Sequence, residues 1–297
     1  MILVFGSLNV DVLVPVPRLP APGETVLGGD YRLLPGGKGA NQALAARRAG
    51  AAVAMAGAVG GDNFAAVALT GLRAAGVDLA LVRRVAAPTG CALIMVAAQG
   101  EQRGENLIAV AAGANRAAAA SDVPDTLLTP GTTLVCQMEV PAEENWALLR
   151  RARTAGTRTI LNLAPAAPVP PDAVADIDIL VANRGEAAVL GADPAAIARH
   201  LRRAFVVTHD AAGSIAYRRG GGQIDTPALP IDPADTTGAG DTFVGVLAAA
   251  LDRGLALAPA LRRASAAAGL ACLDHGAQSA MPDAVAIDAA VGRLPAR

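Results

Sequence analysis

The segment Asp235-Thr-Thr-Gly-Ala-Gly-Asp241 places small residues directly before an apolar helical run, Val244 to Leu251. The small residues Gly238, Ala239 and Gly240 leave backbone N–H groups accessible, and together with the helix dipole these groups form a binding site for an anion. A carboxylate among phosphate-binding amides is suited to accept a proton from a hydroxyl group that attacks phosphorus. Asp241 is therefore a candidate general base, although an aspartate in the first turn of a helix can also serve only as a cap.

A second glycine-rich segment, Gly36-Gly-Lys38-Gly-Ala-Asn41, also opens a helix and contains the sole lysine of the sequence. It does not match a Walker A loop, because Gly39 stands where Ser or Thr would follow the lysine, and it has no G-x-G-x-x-G spacing. Glycine permits close backbone approach, while Lys38 and Asn41 can donate hydrogen bonds to hydroxyl groups or phosphate. The alternative interpretation is a helix start with a solvated lysine.

The composition excludes several classes of protein. The 297 residues are 53% hydrophobic with a net charge of −1, and only 2% are aromatic, which argues against a nucleic-acid partner. The mean hydropathy of +0.40 comes largely from alanine and valine, and no apolar run approaches the ~20 residues of a membrane-spanning helix. The start of the chain lacks the pattern of a signal peptide, and the three cysteines lack metal-ligand spacing. These features predict a cytoplasmic protein without a membrane partner.

Strand and helix patterns alternate through most of the chain. The predicted strands are 2–5, 51–59, 133–138, 158–162, 177–182 and 205–208, and the predicted helices include 41–49, 64–75, 143–155, 185–191 and 194–203. This alternation predicts an α/β fold around a mainly parallel sheet. Two stretches do not fit that sheet, the proline-rich 12–34 and the hairpin-like 89–111 with a turn at Gln99-Gly100-Glu101. They predict a small β lid beside it.

In open parallel sheets, ligands bind beyond the carboxyl ends of the strands. Polar residues that follow the predicted strands are thus candidate ligand-binding residues: Asn9, Asp11, Glu139, Asn162, Asn183, Glu186 and Thr208.

The two glycine-rich segments resemble the signature segments of the ribokinase-like (PfkB-type) carbohydrate kinase family. Further segments resemble this family in matching order along nearly the whole chain: Gly6-Ser-Leu-Asn9-Val-Asp11, Pro22-Gly-Glu-Thr25, Gly104-Glu-Asn106, Gly113-Ala-Asn115, Asn162-Leu-Ala-Pro165, Asn183-Arg-Gly-Glu186 and Gly276-Ala-Gln278. The resemblance implies a single catalytic domain over residues 1–297. Its expected fold is a three-layer sandwich around a mainly parallel sheet, with a β-sheet lid contributed by roughly 12–34 and 89–111.

The resemblance also implies roles for individual positions. Asp241 is the expected base, and the amides of Thr237 to Gly240 are the expected anion hole. The expected sugar-binding residues are Asn9, Asp11, Gly37, Lys38, Asn41, Glu139 and Asp241. The expected ATP-binding residues are Asn183, Thr208, Gly213, Gly240 and Ser265. The residues expected near cations are Glu186 for an indirectly bound Mg²⁺ and Asp235, Thr237, Ala271, Asp274 and Gly276 for K⁺.

The activity implied by the resemblance is ATP-dependent phosphorylation of D-ribose to D-ribose 5-phosphate by a homodimer that associates through the lid. Two positions depart from the family pattern: Ala280 replaces an expected serine near the K⁺ site, and His209-Asp-Ala-Ala replaces a leucine-glycine loop after Thr208. Alternative functions are another sugar or nucleoside kinase of the same family (fructokinase, deoxyribose kinase or pseudouridine kinase) or a non-catalytic sugar-binding protein.

Overall fold

The computed structural model describes residues 1–100 and 104–296. Its strands are β1 Ile2–Phe5, β2 Asn9–Val16, β3 Arg32–Gly36, β4 Val53–Gly60, β5 Asp78–Val85, β6 Gly90–Ala97, β7 Asn106–Ala111, β8 Thr133–Gln137, β9 Arg158–Asn162, β10 Ile179–Asn183, β11 Ala204–Thr208, β12 Ser214–Arg218 and β13 Gln223–Thr226.

The α-helices of the described residues are α1 Lys38–Arg48, α2 Asn63–Ala68, α3 Thr70–Ala74, α4 Ala142–Thr154, α5 Pro171–Val174, α6 Arg184–Val189, α7 Pro194–His200, α8 Ala239–Asp252, α9 Leu257–Ala271, α10 Ala277–Ala280 and α11 Ala284–Val291. Among residues 1–100 and 104–296, no helix combines the length and the apolar character that crossing a bilayer requires.

A nine-stranded sheet forms the centre of the molecule, in the order β13-β12-β11-β10-β9-β8-β1-β4-β5. All neighbouring pairs from β11 to β5 are parallel, whereas β12 and β13 extend the sheet antiparallel. Alternate residues of β1 enter two different cores: Ile2 and Val4 pack with α1, α8 and α9, while Leu3 and Phe5 pack with α4. Helices therefore cover both faces of the sheet, as parallel sheets require, and the predicted three-layer α/β fold is confirmed.

A separate four-stranded sheet, in the order β3-β2-β6-β7, is built from the two stretches that did not fit the main sheet. Its strand β2 begins at Asn9, directly after the short connection from β1, and residues 17–31 lie outside any strand. The predicted turn at Gln99-Gly100-Glu101 falls partly on residues outside the described ranges.

Some elements differ from their predicted bounds. The single helix predicted over 64–75 is two short helices, α2 and α3, which meet at Leu69. Helix α1 begins at Lys38, three residues before the predicted start, so both Lys38 and Asn41 lie in its first turn. The edge strand β5 and the β12–β13 hairpin were not predicted, because their exposed positions and the Gly220-Gly-Gly turn weaken the apolar run that marks a buried strand.

Helices α1 and α8 cross in close contact at Gly245. A Cβ atom added there would lie 2.5 Å from the Gln42 carbonyl oxygen and 2.7 Å from the Ala45 Cβ. This contact fixes the separation of the two helices whose first turns carry Asn41 and Asp241.

We expect Gly245→Ala to lower the free energy of unfolding by about 1–3 kcal/mol, the usual cost of overpacking a well-packed core, despite the higher helix propensity of alanine. Urea unfolding of both proteins measures the difference. Gly292→Ala is the matched control, since an added Cβ there meets nothing within 4 Å. Equal stability of wild type and Gly245→Ala would contradict the proposed close contact.

Candidate active site

The parallel register brings the predicted polar residues to one edge of the main sheet. Gln137, the last residue of β8, pairs with Asn162 at the end of β9, and Asn162 pairs with Val181 of β10. Asn183 and Thr208 then end β10 and β11 side by side. The carboxyl ends of these strands therefore form a continuous polar edge, which is where ligands bind in such sheets.

Helix α8 begins above this edge with Gly238 as its N-cap, in a left-handed conformation at φ 77°. A Cβ on Gly238 would lie 2.8 Å from the Ala277 Cβ, so both the backbone conformation and the packing require glycine. The first i→i−4 bond of the helix is donated by Thr242 to the Gly238 carbonyl at 2.8 Å.

The four residues of the predicted anion hole, Thr237 to Gly240, differ in the hydrogen bonds that their amides make. The Thr237 amide donates to Asp235 Oδ1 at 2.9 Å, and the Ala239 amide donates to the Thr236 carbonyl at 3.2 Å. These two amides hold the loop together, whereas Gly238 and Gly240 line the adjacent cavity. The anion hole over Thr237 to Gly240 stays a prediction.

Asp241 is buried in the first turn of α8, with each carboxylate oxygen accepting one side-chain hydrogen bond. Oδ2 accepts from Asn41 Nδ2 and Oδ1 accepts from Gln42 Nε2, both at 2.9 Å. Burial raises the pKa of Asp241, and the positive charge of Lys38 and the two amide bonds oppose that increase. A raised pKa makes the carboxylate a better proton acceptor than an exposed aspartate.

A cavity of about 150 Å³ lies between the start of α8 and the strand ends. Predicted site residues that line it are Lys38, Asn183, Glu186, Thr208, Gly238, Gly240 and Asp241, and Asn162 lines it as well. The structure thus brings the predicted base, two glycines of the predicted anion hole and part of the predicted ATP-binding set into one cavity.

Asn9 and Glu139, predicted to bind a sugar, are held by short hydrogen bonds. Glu139 Oε2 accepts from Ser7 Oγ at 2.5 Å and from the Lys38 amide at 3.0 Å. Asn9 Oδ1 accepts from Asn115 Nδ2 at 2.6 Å, and Asn115 Oδ1 accepts from the Leu8 amide at 2.9 Å. These bonds set the orientation of both groups, so that Asn9 presents its NH₂ group and Glu139 its Oε1 atom for other partners.

Asp11 packs against the backbone at Gly36, where an added Cβ would lie 2.3 Å from its Oδ1. Burial, followed by the charges of Glu139 and Asp241, raises the pKa of Asp11 to about 6. Burial disfavours the charge of Lys38, but Asp241, Glu139 and Glu186 outweigh that effect and its pKa is raised. One ammonium group is therefore surrounded by several carboxylates.

Asn183 and Glu186 form a capping box at the start of α6. Asn183 Oδ1 accepts from the Glu186 amide and Glu186 Oε2 accepts from the Asn183 amide, both at 2.8 Å. The box keeps one half-buried carboxylate at the cavity, and a carboxylate fits the oxygen ligands that Mg²⁺ prefers.

The residues predicted near K⁺ lie where two loops meet. The Cys272 carbonyl accepts from the amides of Ala234 and Asp235, and Asp235 Oδ2 accepts from the Gly276 amide at 2.9 Å. Ala271 ends α9 and is buried, whereas Asp274 is exposed and accepts from the His275 amide. Alkali cations prefer oxygen ligands, and the backbone carbonyls of two loops beside one carboxylate match that preference. In residues 1–100 and 104–296, no group of three or more His, Cys, Asp or Glu side chains forms a metal-binding cluster.

The structure does not bring Ser265 or Gly213 to the wall of the cavity. Ser265 is buried in α9, where its hydroxyl donates to the Pro227 carbonyl at 2.5 Å. Gly213 closes the loop after β11: its carbonyl accepts from the His209 amide, and an added Cβ would lie 2.0 Å from the Thr226 carbonyl oxygen. Both positions hold the β11–β13 region in place.

Several residues that contact the predicted site were not singled out from the sequence. All of them are buried: Ser7, Gln42, Asn115, Gln137 and Gln278. Ser7, Asn115 and Gln278 lie within the family-like segments, and Gln42 directly follows the second glycine-rich segment. Only the folded chain shows that Gln42 bonds Asp241 and that Gln278 bonds Asn41.

A buried carboxylate beside an anion-binding helix start, at the carboxyl ends of parallel strands, defines an α/β phosphotransferase that acts on a hydroxyl group. The model of the pfkB family carbohydrate kinases matches residues 1–284. The chain belongs to this family.

Individual relatives agree with the family. A ribokinase from Bacillus subtilis is 35% identical over 287 residues, covering 95% of this chain and 96% of the relative. The structure of Arabidopsis thaliana ribokinase complexed with ribose and ATP superposes with a TM-score of 0.89 at 31% identity, covering 98% of both chains. The structure of a fructokinase with bound ATP from Xylella fastidiosa shares the fold, with a TM-score of 0.82 at 22% identity and 98% coverage of both chains.

The raised pKa of Asp11 predicts a pH-dependent effect of Asp11→Asn. Because the folded-state pKa is about 6 against an ordinary value of 3.8, ionising Asp11 costs stability, and this cost grows as the pH rises from about 4 to above 6. We expect Asp11→Asn to melt at a higher temperature than wild type at pH 7.5, with the difference shrinking as the pH falls toward 4. Thermal unfolding across this range is the measurement, and Asp30→Asn, an exposed carboxylate outside the site, is the control. A pH-independent difference would contradict the assignment.

Proposed function

We propose that the protein catalyses ATP-dependent phosphorylation of D-ribose to D-ribose 5-phosphate. The observation that carries this proposal is the position of Asp241, buried between the anion-binding glycines of α8 on one side and the hydroxyl-binding residues around Lys38 on the other. Ribokinases at 30% identity or more match nearly the whole chain, and one related structure contains both ribose and ATP.

The proposed mechanism uses Asp241 as the general base. The primary hydroxyl of the sugar attacks the γ-phosphorus of ATP, the new O–P bond forms as the bond to ADP breaks, and the hydroxyl proton passes to the Asp241 carboxylate. The amides of Gly238 and Gly240 bind the negative charge on the transferred phosphoryl group. Lys38 adds a positive charge to the same cavity.

The sugar site in this proposal consists of Asn9, Asp11, Gly37, Asn41 and Glu139. Their carboxylate and amide groups match the hydroxyl groups of a small polyol, which donate and accept hydrogen bonds. The small sheet that carries Asn9 and Asp11 would close over the sugar and exclude water, which limits hydrolysis of ATP. On this proposal, residues 1–297 form one catalytic unit with the small sheet as its lid.

Two cations belong to the proposal. Glu186, held by Asn183 at the cavity, would hold Mg²⁺ through water, and the bound ion supplies positive charge to the ATP phosphates. Asp235 and the carbonyl oxygens of Thr237, Ala271, Asp274 and Gly276 would hold K⁺ beside the start of α8. Ala280 offers no hydroxyl ligand, so K⁺ would depend on backbone oxygens there.

A direct assay decides which acceptor the protein phosphorylates. Sugar-dependent ADP release with Mg-ATP and K⁺ is measured for ribose beside fructose, deoxyribose, adenosine and pseudouridine. We expect the highest kcat/KM with ribose. Higher activity on another acceptor would reassign the substrate within the family, and turnover of none would favour a non-catalytic sugar-binding protein.

The small sheet also supports a homodimer. Pairing places Asp11, Ala92 and Val110 side by side, so Ile94, Ile108 and Val110 lie on the face that carries Asp11. Ile108 and Val110 are more than half exposed, and neither β6 nor β7 contains a charged residue. The part of this face that β6 and β7 form is apolar and uncharged and therefore self-complementary, so a second copy of this chain would cover it next to the sugar site.

The three cysteines are free thiols, which agrees with the reducing cytoplasm that we propose as the location of the protein.

We expect Asp241→Asn to lower kcat by about 10²–10⁴-fold while ribose and ATP still bind, because the amide keeps the shape of the side chain but cannot accept the proton. Turnover assays and calorimetry measure the two effects. Asp252→Asn, at the opposite end of α8, is expected to keep wild-type turnover. Full activity of Asp241→Asn would contradict the role of the base.

For the homodimer, we expect Ile108→Glu to give a monomer with a higher KM for ribose, since a charge on the apolar face opposes its burial. Sedimentation equilibrium measures the mass of the particle. Val285→Glu, which changes an exposed valine of α11, should remain dimeric. A monomeric wild type would contradict the association.

A further inference from the structure

Two chains of buried amide side chains end on the carboxylate of Asp241. In the first chain, Gln137 Nε2 donates to Gln42 Oε1 at 2.8 Å, and Gln42 Nε2 donates to Asp241 Oδ1 at 2.9 Å. In the second chain, Gln278 Nε2 donates to Asn41 Oδ1 at 3.1 Å, and Asn41 Nδ2 donates to Asp241 Oδ2 at 2.9 Å. Every NH₂ group in both chains therefore points toward Asp241.

The carboxylate dictates this common direction. An ionised carboxylate only accepts hydrogen bonds, so the nearest amide must present NH₂ to it and carbonyl oxygen to the next residue. The outermost oxygens, Gln137 Oε1 and Gln278 Oε1, are buried without a hydrogen-bond partner among the described residues. Burying an unsatisfied polar atom is unfavourable. The fold tolerates that cost at both ends while keeping both amide chains directed at the base.

The chain through Gln42 is separate from the expected sugar contacts. Gln42 is 0% exposed and its carbonyl side is covered by Gln137, whereas Asn41 belongs to the proposed sugar site. Gln42 Nε2 also donates to Asn162 Oδ1 at 2.9 Å, and Asn162 Nδ2 donates to the Val181 carbonyl at 3.2 Å. These contacts tie the orientation of the Gln42 amide to the ends of β8, β9 and β10.

We propose that Gln42, held in place by Gln137 and Asn162, is a positioning residue for the general base Asp241. Its amide holds Oδ1 and so orients the carboxylate toward the attacking hydroxyl, without contact to the sugar or to ATP. This inference rests on the proposed function of Asp241 as the base.

The same hydrogen bond favours the charged form of Asp241. Lys38 and the amides of Asn41 and Gln42 stabilise the carboxylate, while burial and the charge of Glu139 oppose ionisation, and Asp11 also interacts with it electrostatically. Loss of the Gln42 donor removes one of the stabilising contributions. The pKa of Asp241 then rises, and the pH above which the base is ionised rises with it.

The test compares Gln42→Met, which keeps the size of the side chain and removes the amide, with Asn145→Leu. Asn145 is an equally buried amide whose Nδ2 donates to the Gln137 backbone carbonyl at 2.7 Å and not to either amide chain. Asn145→Leu therefore reports the cost of losing a buried amide alone. Gln42→Glu keeps an acceptor for Gln137 but loses the donor to Asp241, and it serves where Gln42→Met is poorly folded.

We expect Gln42→Met to lower kcat for ribose at pH 7 by about 10- to 100-fold, the scale of a misplaced reacting group, with KM for ribose and ATP within about twofold. The acid limb of the kcat profile should move to higher pH. Gln137→Met should shift the same limb by a smaller amount, because it acts through Gln42. Asn145→Leu should lower the melting temperature without moving this limb.

A second readout does not depend on turnover. In protein labelled with ¹³C at the aspartate carboxyl carbon, the resonance lost in Asp241→Asn identifies Asp241, and its titration should move to higher pH in Gln42→Met. If wild type phosphorylates no acceptor, the proposed function fails, and this titration still decides whether Gln42 controls Asp241. A folded Gln42→Met or Gln42→Glu with wild-type kcat and an unshifted titration would overturn the inference, and so would an identical kcat loss and limb shift in Asn145→Leu.

Discussion

The burial of one negative charge, the carboxylate of Asp241, is the constraint on which the rest of the site depends. A carboxylate removed from water is unfavourable unless hydrogen bonds, dipoles or opposite charges replace its hydration. Here the positive end of helix α8, the amides of Asn41 and Gln42, and the ammonium group of Lys38 provide that replacement. Each of these groups lies in one of the two glycine-rich segments or directly follows it, so both segments must meet at one point for the charge to be tolerated.

The crossing of α1 and α8 makes this meeting possible. Asn41 and Gln42 lie in the first half of α1, and Asp241 lies in the first turn of α8, so their side chains reach each other only when the helix axes approach closely. Gly245 permits the close approach, because it has no Cβ atom that would meet the Gln42 carbonyl oxygen and the Ala45 Cβ. A structural glycine one turn beyond Asp241 thus has a direct effect on the geometry of the site.

The carboxylates around Lys38 lower the stability of the folded protein and provide hydrogen-bond acceptors for a ligand. Burial and the negative charges of Glu139 and Asp241 raise the pKa of Asp11 to about 6, so the ionised form of Asp11 is unfavourable in the folded protein. Glu139 stays oriented because Ser7 Oγ donates to its Oε2 atom, and Asp241 stays oriented because Asn41 and Gln42 each donate to one of its oxygens. A pocket that is unfavourable when empty and gains hydrogen bonds when a polyol enters is expected of a site that binds hydroxyl groups.

The sequence by itself determined the alternation of strands and helices, the mainly parallel sheet, the small separate sheet and the two glycine-rich helix starts, because periodicity, proline and glycine act locally. Tertiary structure decided which backbone groups remain available: the Thr237 and Ala239 amides bond within the loop, whereas Gly238 and Gly240 line the cavity. It also decided that Gln42 and Gln137, 95 residues apart, share a hydrogen bond, and that Ser265 lies away from the cavity. Such contacts depend on helix crossing and strand register, which join residues distant in the chain and leave no local pattern in the sequence.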